Sequence, residues 1–419
     1  MSRAKRQLMC FLLLLFITLV YITYTLRLET VTGSLRYGAH GSSGCFSISP
    51  NISFSSTDTS PRQVLPSTSP GDSPSSRPPA PSVKRILLVT YGRSGSTFTS
   101  YVLKEAQEAF LFFEPLRPLV MRKTQGMDII MSYQAVGAQF YEPQELNSSM
   151  LSEYERSAVG VLDSILDCNM TSLTIDDYLS PVIRHHEHTK DVSRCLRSIL
   201  NDSYLNLPHY LQCLIDFWNL CRSRTLRLIK TIRMPLRALF ELMRKYPDLY
   251  LVYLVRDPRA TLMSQRQNFG HSPMPQNFCN LVQDDVAHMR LLQQLFPSRA
   301  IAVRYEDIIV DPLEWSKRLY AALGLTMTPR VVSLIRLYTR ASGDGSAYQV
   351  YRKDPKNTAN RWRSTIAYSA VRLIDYFCAE AYRALGYVQV HNETLLRNTN
   401  ESLTCSTNTL EMLQLPVAA

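Results

Sequence analysis

Five short apolar runs are spaced along the chain between residues 85 and 308. They are "RILLVTY" (85–91), "AFLFFEPL" (109–116), "LRLIKTIRM" (226–234), "LYLVYLVRDP" (249–258) and "RAIAVRYEDI" (299–308). Each is rich in β-branched and other apolar side chains, the pattern of a strand buried on both faces. Segments of helical spacing separate them. After the first run, "STFTSYVLKEAQEAF" places Phe98, Val102 and Ala106 on one side of a helix. Helical patterns also cover Pro235–Lys245, Asn280–Phe296, Pro312–Leu323 and Ser369–Leu385. Short apolar strands alternating with helices predict an α/β domain with a mostly parallel sheet flanked by helices. In such sheets ligands sit at the C-terminal ends of the strands.

Outside this region the pattern changes twice. Residues 9–26 form an uncharged apolar run preceded by Arg3, Lys5 and Arg6. That length suits a bilayer-spanning helix, and the basic flank predicts a cytosolic N-terminus. The following "YTLRLET" has no small-x-small cleavage pattern, so an uncleaved type II signal anchor is expected. Residues 27–83 are dense in Ser, Thr and Pro and read as a disordered stem. The expected organisation is a cytosolic tail (1–8), a transmembrane anchor (9–26), a stem (27–83), a lumenal domain (84–388) and a polar C-terminal tail (389–419).

Composition supports that topology. N-x-[ST] sequons occur at Asn51, Asn147, Asn169, Asn201, Asn392 and Asn400. Of nine cysteines, Cys10 falls in the anchor, which leaves eight able to pair in an oxidising lumen. Cys168, Cys195, Cys213 and Cys221 cluster, so at least one disulfide is expected there, and no Cys/His spacing suggests zinc. The formal net charge of +11 favours acidic partners.

The candidate chemistry begins where the first strand ends. "YGRSGSTF" puts two glycines, an arginine and three hydroxyls between a strand and a helix, where backbone N–H groups and the helix dipole favour an anion. A nucleotide triphosphatase loop is disfavoured. Gly92 and Gly95 are too close for that pattern, and no Lys precedes Ser96 and Thr97. The Asp in "LVRDP" is flanked by Arg256 and Arg259, poor surroundings for a magnesium ligand. Asp257 before Pro258 reads as a helix N-cap.

Together, "YGRSGSTF" and "LVRDPRATLMSQR" resemble the paired donor-binding motifs of Golgi carbohydrate sulfotransferases. The likeness is greatest to the galactose, N-acetylgalactosamine and N-acetylglucosamine 6-O-sulfotransferase family. It extends to "FFEPL", "LIKTIR", "RYEDI" and the late "RWR" at 361–363. The resemblance implies a sulfotransferase fold with a P-loop-like strand–loop–helix. It implies 3′-phosphoadenylyl sulfate as donor co-substrate, no metal, and location in the Golgi membrane. Gly92, Arg93, Ser94, Gly95, Ser96, Thr97 and Phe98 would hold the 5′-phosphosulfate, and Arg256 with Ser264 the 3′-phosphate. Glu114, at the end of the second run, is the candidate base, and Arg93 supplies charge to the transferring group. The plain alternative for Glu114 is a structural carboxylate paired with a nearby Arg such as Arg117. Lys230 and Arg233 would lie beside the same edge.

The implied reaction is sulfation of the 6-hydroxyl of galactose or N-acetylgalactosamine in a keratan- or chondroitin-type glycan, with N-acetylglucosamine as the alternative. Acidic or neutral glycan chains are the implied partners, nucleic acid is not, and a homodimer is compatible with the sequence. A non-catalytic lumenal glycan-binding protein is the rival from another class. The segment between Lys123 and Arg224 is expected to shape the acceptor cleft, with His185, His186 and His188 in a solvated loop.

Overall fold

The computed structural model describes residues 83–106, 109–123, 144–169, 172–201, 206–270, 272–346 and 348–405, with 410 and 412. The expected cytosolic tail, anchor, stem to residue 82 and Asn51 sequon lie outside the described residues. Among the described residues no helix is long and apolar enough to cross a membrane.

All five apolar runs become strands. β1 (Lys84–Thr90) leads through α1 (Ser96–Lys104) to β2 (Phe110–Phe113), followed by α2 (Arg117–Lys123). The insert then contributes α3 (Glu153–Leu166), α4 (Ile175–Leu179), α5 (Glu187–Leu200) and α6 (Leu207–Ser223). β3 (Leu226–Thr231), α7 (Phe240–Lys245), β4 (Leu249–Val255), α8 (Pro258–Phe269), α9 (Pro275–Leu295) and β5 (Ala300–Arg304) complete the sheet region. The sheet is parallel throughout, in the order β2-β3-β1-β4-β5. The chain leaves β1 toward β3 and β2, then crosses to β4 on the other side. That reversal opens a crevice at the C-terminal end of β1.

Alternation along each strand divides the core. In β1, Leu87 and Val89 join one cluster while Ile86 and Leu88 join the other, and in β4 Leu251 and Tyr253 oppose Val252 and Leu254. Leu162 of α3 and Phe278 of α9 cover the first face. The second is covered by Val102 of α1 and by α11 (Pro312–Ala322), which supplies Trp315 and Leu319.

Several boundaries differ from the expected ones. "RYEDI" stops being a strand at Arg304, and Tyr305–Val310 is α10. The long C-terminal pattern is two helices, α15 (Tyr368–Phe377) and α16 (Ala379–Leu385), interrupted at Cys378. They follow α12 (Pro329–Thr339), α13 (Pro355–Asn360) and α14 (Trp362–Thr365). Cys378, at the break, is bonded to Cys279 of α9. The polar segment after Val388 packs on the domain: α17 (Glu393–Arg397) buries Leu396, and four of its neighbouring carbonyls accept from Arg363. The insert carries two disulfides, Cys168–Cys221 and Cys195–Cys213. The expectation of at least one is met.

Candidate active site

The loop after β1 is built by two residues with positive φ. Gly95 (φ 83°) is the N-cap of α1, and Arg93 (φ 73°) is left-handed without being glycine. A Cβ on Gly95 would overlap the Tyr305 ring, so the loop needs glycine there for both conformation and space. The first turn of α1 has no acidic residue, and its leading N–H groups have no partner within the helix. This positive helix end opens into a cavity of about 460 Å³.

Gly92, Arg93, Gly95, Ser96, Thr97, Phe98, Arg256 and Ser264 all line that cavity. Ser94 does not: its hydroxyl is fully buried without a hydrogen-bond partner. The loop hydroxyls facing the cavity are therefore Ser96 and Thr97. Arg93 and the pair Arg256 and Ser264 form one cluster. Arg93 Nε donates to Ser264 Oγ at 3.2 Å, and Arg256 Nη1 donates to the Arg93 carbonyl at 2.8 Å. Arg256 Nη2 donates to the Ala359 carbonyl at 3.2 Å, and its guanidinium lies 4.9 Å from the centre of the Tyr305 ring. Burial, then the nearby Arg256 charge, lowers the Arg93 pKa from its ordinary value. A cluster of like charges taken out of water is a receptive place for an anion.

Asp257 has the expected capping role. Its carboxylate accepts from Arg259 N at 2.9 Å at the start of α8, with Pro258 in the first turn. It also holds the fully buried Arg259 side chain, which pairs with Asp375 of α15 and donates to the Val388 carbonyl at 3.0 Å as well.

Glu114 ends β2 beside the loop, as expected, with φ 54°. Its partners are Lys230 and Arg233, which is the buried, cation-paired carboxylate of the plain alternative, with Arg233 in the place suggested for Arg117. Oε1 is bonded by Lys230 Nζ, and Oε2 accepts from Arg233 Nη1 at 2.6 Å and from Ile232 N at 3.3 Å. Glu114 is buried and lies behind the cavity wall, whereas Lys230 and Phe113 line it. Lys230 Nζ lies 4.5 Å from the Phe113 ring centre. Burial lowers the Lys230 pKa from the usual lysine range, and the Glu114 charge opposes that shift.

His186 corrects another expectation. It is buried, with its ring centre 5.2 Å from those of Tyr101 and Phe113, because the insert folds against β2 rather than away from it. The remaining cavity residues include Tyr338, Tyr348, Arg352 and Arg361. Arg93 lies 5.4 Å from the Tyr348 ring centre, and Arg361 pairs with Asp344 at 2.7 Å. Of these only Arg361 falls in a quoted motif. Tyr338 lies near the end of α12, and Tyr348 and Arg352 come from the turn-rich stretch after it, whose sequence carries no periodic signal.

The matching family model is described as Sulfotransferase family and spans residues 85–329, more than half of the chain. The chain belongs to the sulfotransferase family. Zebrafish Carbohydrate sulfotransferase 1 is 27% identical over 76% of this chain and 81% of its own length. Mouse Carbohydrate sulfotransferase 4 is 24% identical over 78% and 87%, respectively. Likeness to solved structures is faint. A sulfotransferase domain from the curacin biosynthetic pathway aligns at 18% identity, covering 76% of this chain and 96% of that domain, with TM-score 0.33. Mouse sulfotransferase SULT7A1 complexed with PAP aligns at 14% identity over 76% and 88%, with TM-score 0.35. Family membership makes the chain a sulfotransferase enzyme, and the loop, Arg256 and Lys230 all fall within the matched residues.

Proposed function

We propose that the protein transfers the sulfuryl group of 3′-phosphoadenylyl sulfate to the 6-hydroxyl of a galactose or N-acetylgalactosamine residue in a glycan of the keratan or chondroitin type. The observation that carries this reading is the convergence of Arg93, Arg256 and Ser264 with an open helix N-terminus on one cavity. The donor has two anionic ends. The N–H groups of α1 with Ser96 and Thr97 receive the 5′-phosphosulfate, and Arg256 with Ser264 receives the 3′-phosphate. Phe98 and Tyr338 supply apolar wall.

Sulfuryl transfer resembles phosphoryl transfer, in which positioning and charge stabilisation dominate an in-line displacement. The acceptor oxygen bonds to sulfur as the bond from sulfur to the phosphate oxygen breaks, and the hydroxyl proton leaves to solvent or a nearby group. Arg93 and Lys230 supply positive charge to the oxygens that become more negative. Because both Glu114 oxygens are engaged by cations, we assign Glu114 to holding Lys230 rather than to taking the proton. The reaction needs no metal.

The names of the relatives support a carbohydrate acceptor, and the net charge of +11 suits an acidic polymer. A type II anchor in the Golgi membrane with a lumenal catalytic domain belongs to the same reading. The five sequon asparagines among the described residues are all exposed, as glycosylation requires. Incubation of the protein with labelled donor and a panel of desulfated and partly sulfated glycans tests the proposal, with linkage analysis of the product. Incorporation only at N-acetylglucosamine would replace the acceptor assignment. Tight binding of glycans without transfer would favour the non-catalytic rival.

A further inference from the structure

The insert contains a cluster that sulfuryl transfer does not use. Helices α5 and α6 are joined by Cys195–Cys213. His209 and Cys213 stand four residues apart on α6, so they share a face. His209 Nε2 lies 3.8 Å from Cys195 Sγ, and the nitrogen and both sulfurs lie within 4.8 Å of one another. In a tetrahedral zinc complex a thiolate sulfur sits about 2.3 Å, and an imidazole nitrogen about 2.0–2.1 Å, from the metal. Those bond lengths give a sulfur–nitrogen edge of roughly 3.5 Å and a sulfur–sulfur edge of roughly 3.8 Å. The His209–Cys195 separation is already close to the first, and opening the disulfide lets the sulfurs reach the second.

The frame around the cluster is firm. Asn206 Oδ1 accepts from His209 N at 3.1 Å and caps α6, and Cys213 is buried in the core. Exposure separates this bridge from the two others whose cysteines are both described. Cys168, Cys221, Cys279 and Cys378 are all fully buried, whereas Cys195, like the disulfide-bonded Cys405, is partly exposed, so a reductant in solution reaches it before those two.

We propose that, when the Cys195–Cys213 bond is reduced, Cys195, Cys213 and His209 form a site for zinc or another thiophilic divalent cation, with water as the fourth ligand. A phosphine or dithiol donates two electrons to the sulfur–sulfur bond, and two protons from solvent complete the thiols. Metal binding releases one proton from each thiol and uses the lone pair of neutral His209 Nε2. A two-electron thiol oxidant, such as another disulfide, restores the bridge and expels the cation. Disulfide and metal are thus alternative clasps for the same two helices. Cys195 is fourteen residues from His209 and on a different helix, so the His209–Cys213 spacing alone does not announce the site.

The test uses the full chain, reduced with a phosphine with and without zinc ions, and alkylation with mass mapping identifies the opened cysteines. Cys195 and Cys213 should open before Cys168–Cys221 and Cys279–Cys378, and zinc should protect both from alkylation. Cobalt(II) added to zinc-free reduced protein should bind at one equivalent, with thiolate-to-cobalt charge-transfer absorption that zinc bleaches. His209→Ala should keep both thiols yet weaken cobalt binding by about tenfold or more, and Cys195→Ser should remove most of the absorption. Absence of the charge-transfer band with both thiols free would overturn the proposal, as would a band indifferent to His209→Ala. If reduction melts the helix pair, the comparison with zinc decides: retention of helical signal only with zinc supports the site, and equal loss in both samples overturns it.

Discussion

Arg256 follows β4 and Ser264 lies in α8, and only their meeting with Arg93 makes them a site. Arg256→Ala removes a charge-assisted phosphate contact worth about 1.5–3 kcal/mol, so affinity for 3′-phosphoadenosine 5′-phosphate should fall tenfold or more. Ser264→Ala removes one neutral hydroxyl and should cost less. Calorimetry reads both, and unchanged affinity in folded Arg256→Ala protein would exclude the 3′-phosphate role. For Glu114 the discriminating measurement is a double-mutant cycle with Lys230. If Glu114 acts through Lys230, Glu114→Gln lowers turnover, and Lys230→Met combined with Glu114→Gln is no slower than Lys230→Met alone. A general base would add a further loss of about 10²–10⁴ in the double variant. Glu114 was legible as a strand-end carboxylate, but its partners were not: Lys230 and Arg233 are more than a hundred residues away and reach it only because β2 pairs with β3.

At the scale of elements, the strand–loop–helix at Gly92 depends on a left-handed Gly95 packed against Tyr305 at the start of α10. Gly95→Ala should therefore weaken nucleotide binding and lower stability. The backbone penalty alone is about 1–2 kcal/mol, and displacing Tyr305 also disturbs the ring beside Arg256. Nucleotide titration and thermal melting on one preparation check it, and an unaffected alanine variant would show that the loop adapts freely. Strands were more legible than helix ends. A buried parallel strand must be a continuous apolar run whatever packs on it, so all five runs were visible. Helix ends answer to tertiary partners. The break falls at Cys378, the residue bonded to Cys279 of α9, and the turn from β5 into α10 places Tyr305 against Gly95.

The whole molecule carries a buried polar network under the site. Tyr91, the residue before Gly92, donates to Asp285 Oδ2 at 2.7 Å, and its hydroxyl lies 2.7 Å from that of Tyr253. Asp285 Oδ1 accepts from Leu236 N at 2.8 Å. Burial, and then the neighbouring Asp284 charge, raises the Asp285 pKa to about 7. An unfolded aspartate titrates near 3.9. Because the folded value is higher, the stability this group contributes is fully present below the unfolded pKa and is lost as pH rises through about 7. Asp285→Asn removes that dependence, so its stability relative to the parent should improve between pH 4 and 8, by an amount on the order of a few kcal/mol. Denaturant midpoints across that range measure it. Parallel curves for the two proteins would mean that Asp285 does not titrate in the fold.

The sequence by itself determined the α/β class, the five strands, the strand–loop–helix at Gly92–Phe98 and the Asp257 cap. Each of these is dictated by local chemistry: period, glycine placement and capping residues act within a few positions of one another. The tertiary structure decided which side chains meet. It turned Ser94 inward, joined Arg93 to Ser264, placed Lys230 in front of Glu114, buried His186 against Phe113, and brought Tyr348 and Arg352 to the same cavity as the Gly92–Phe98 loop. Those contacts link residues far apart in the chain, and their geometry is set by sheet order and helix packing, which no local pattern encodes.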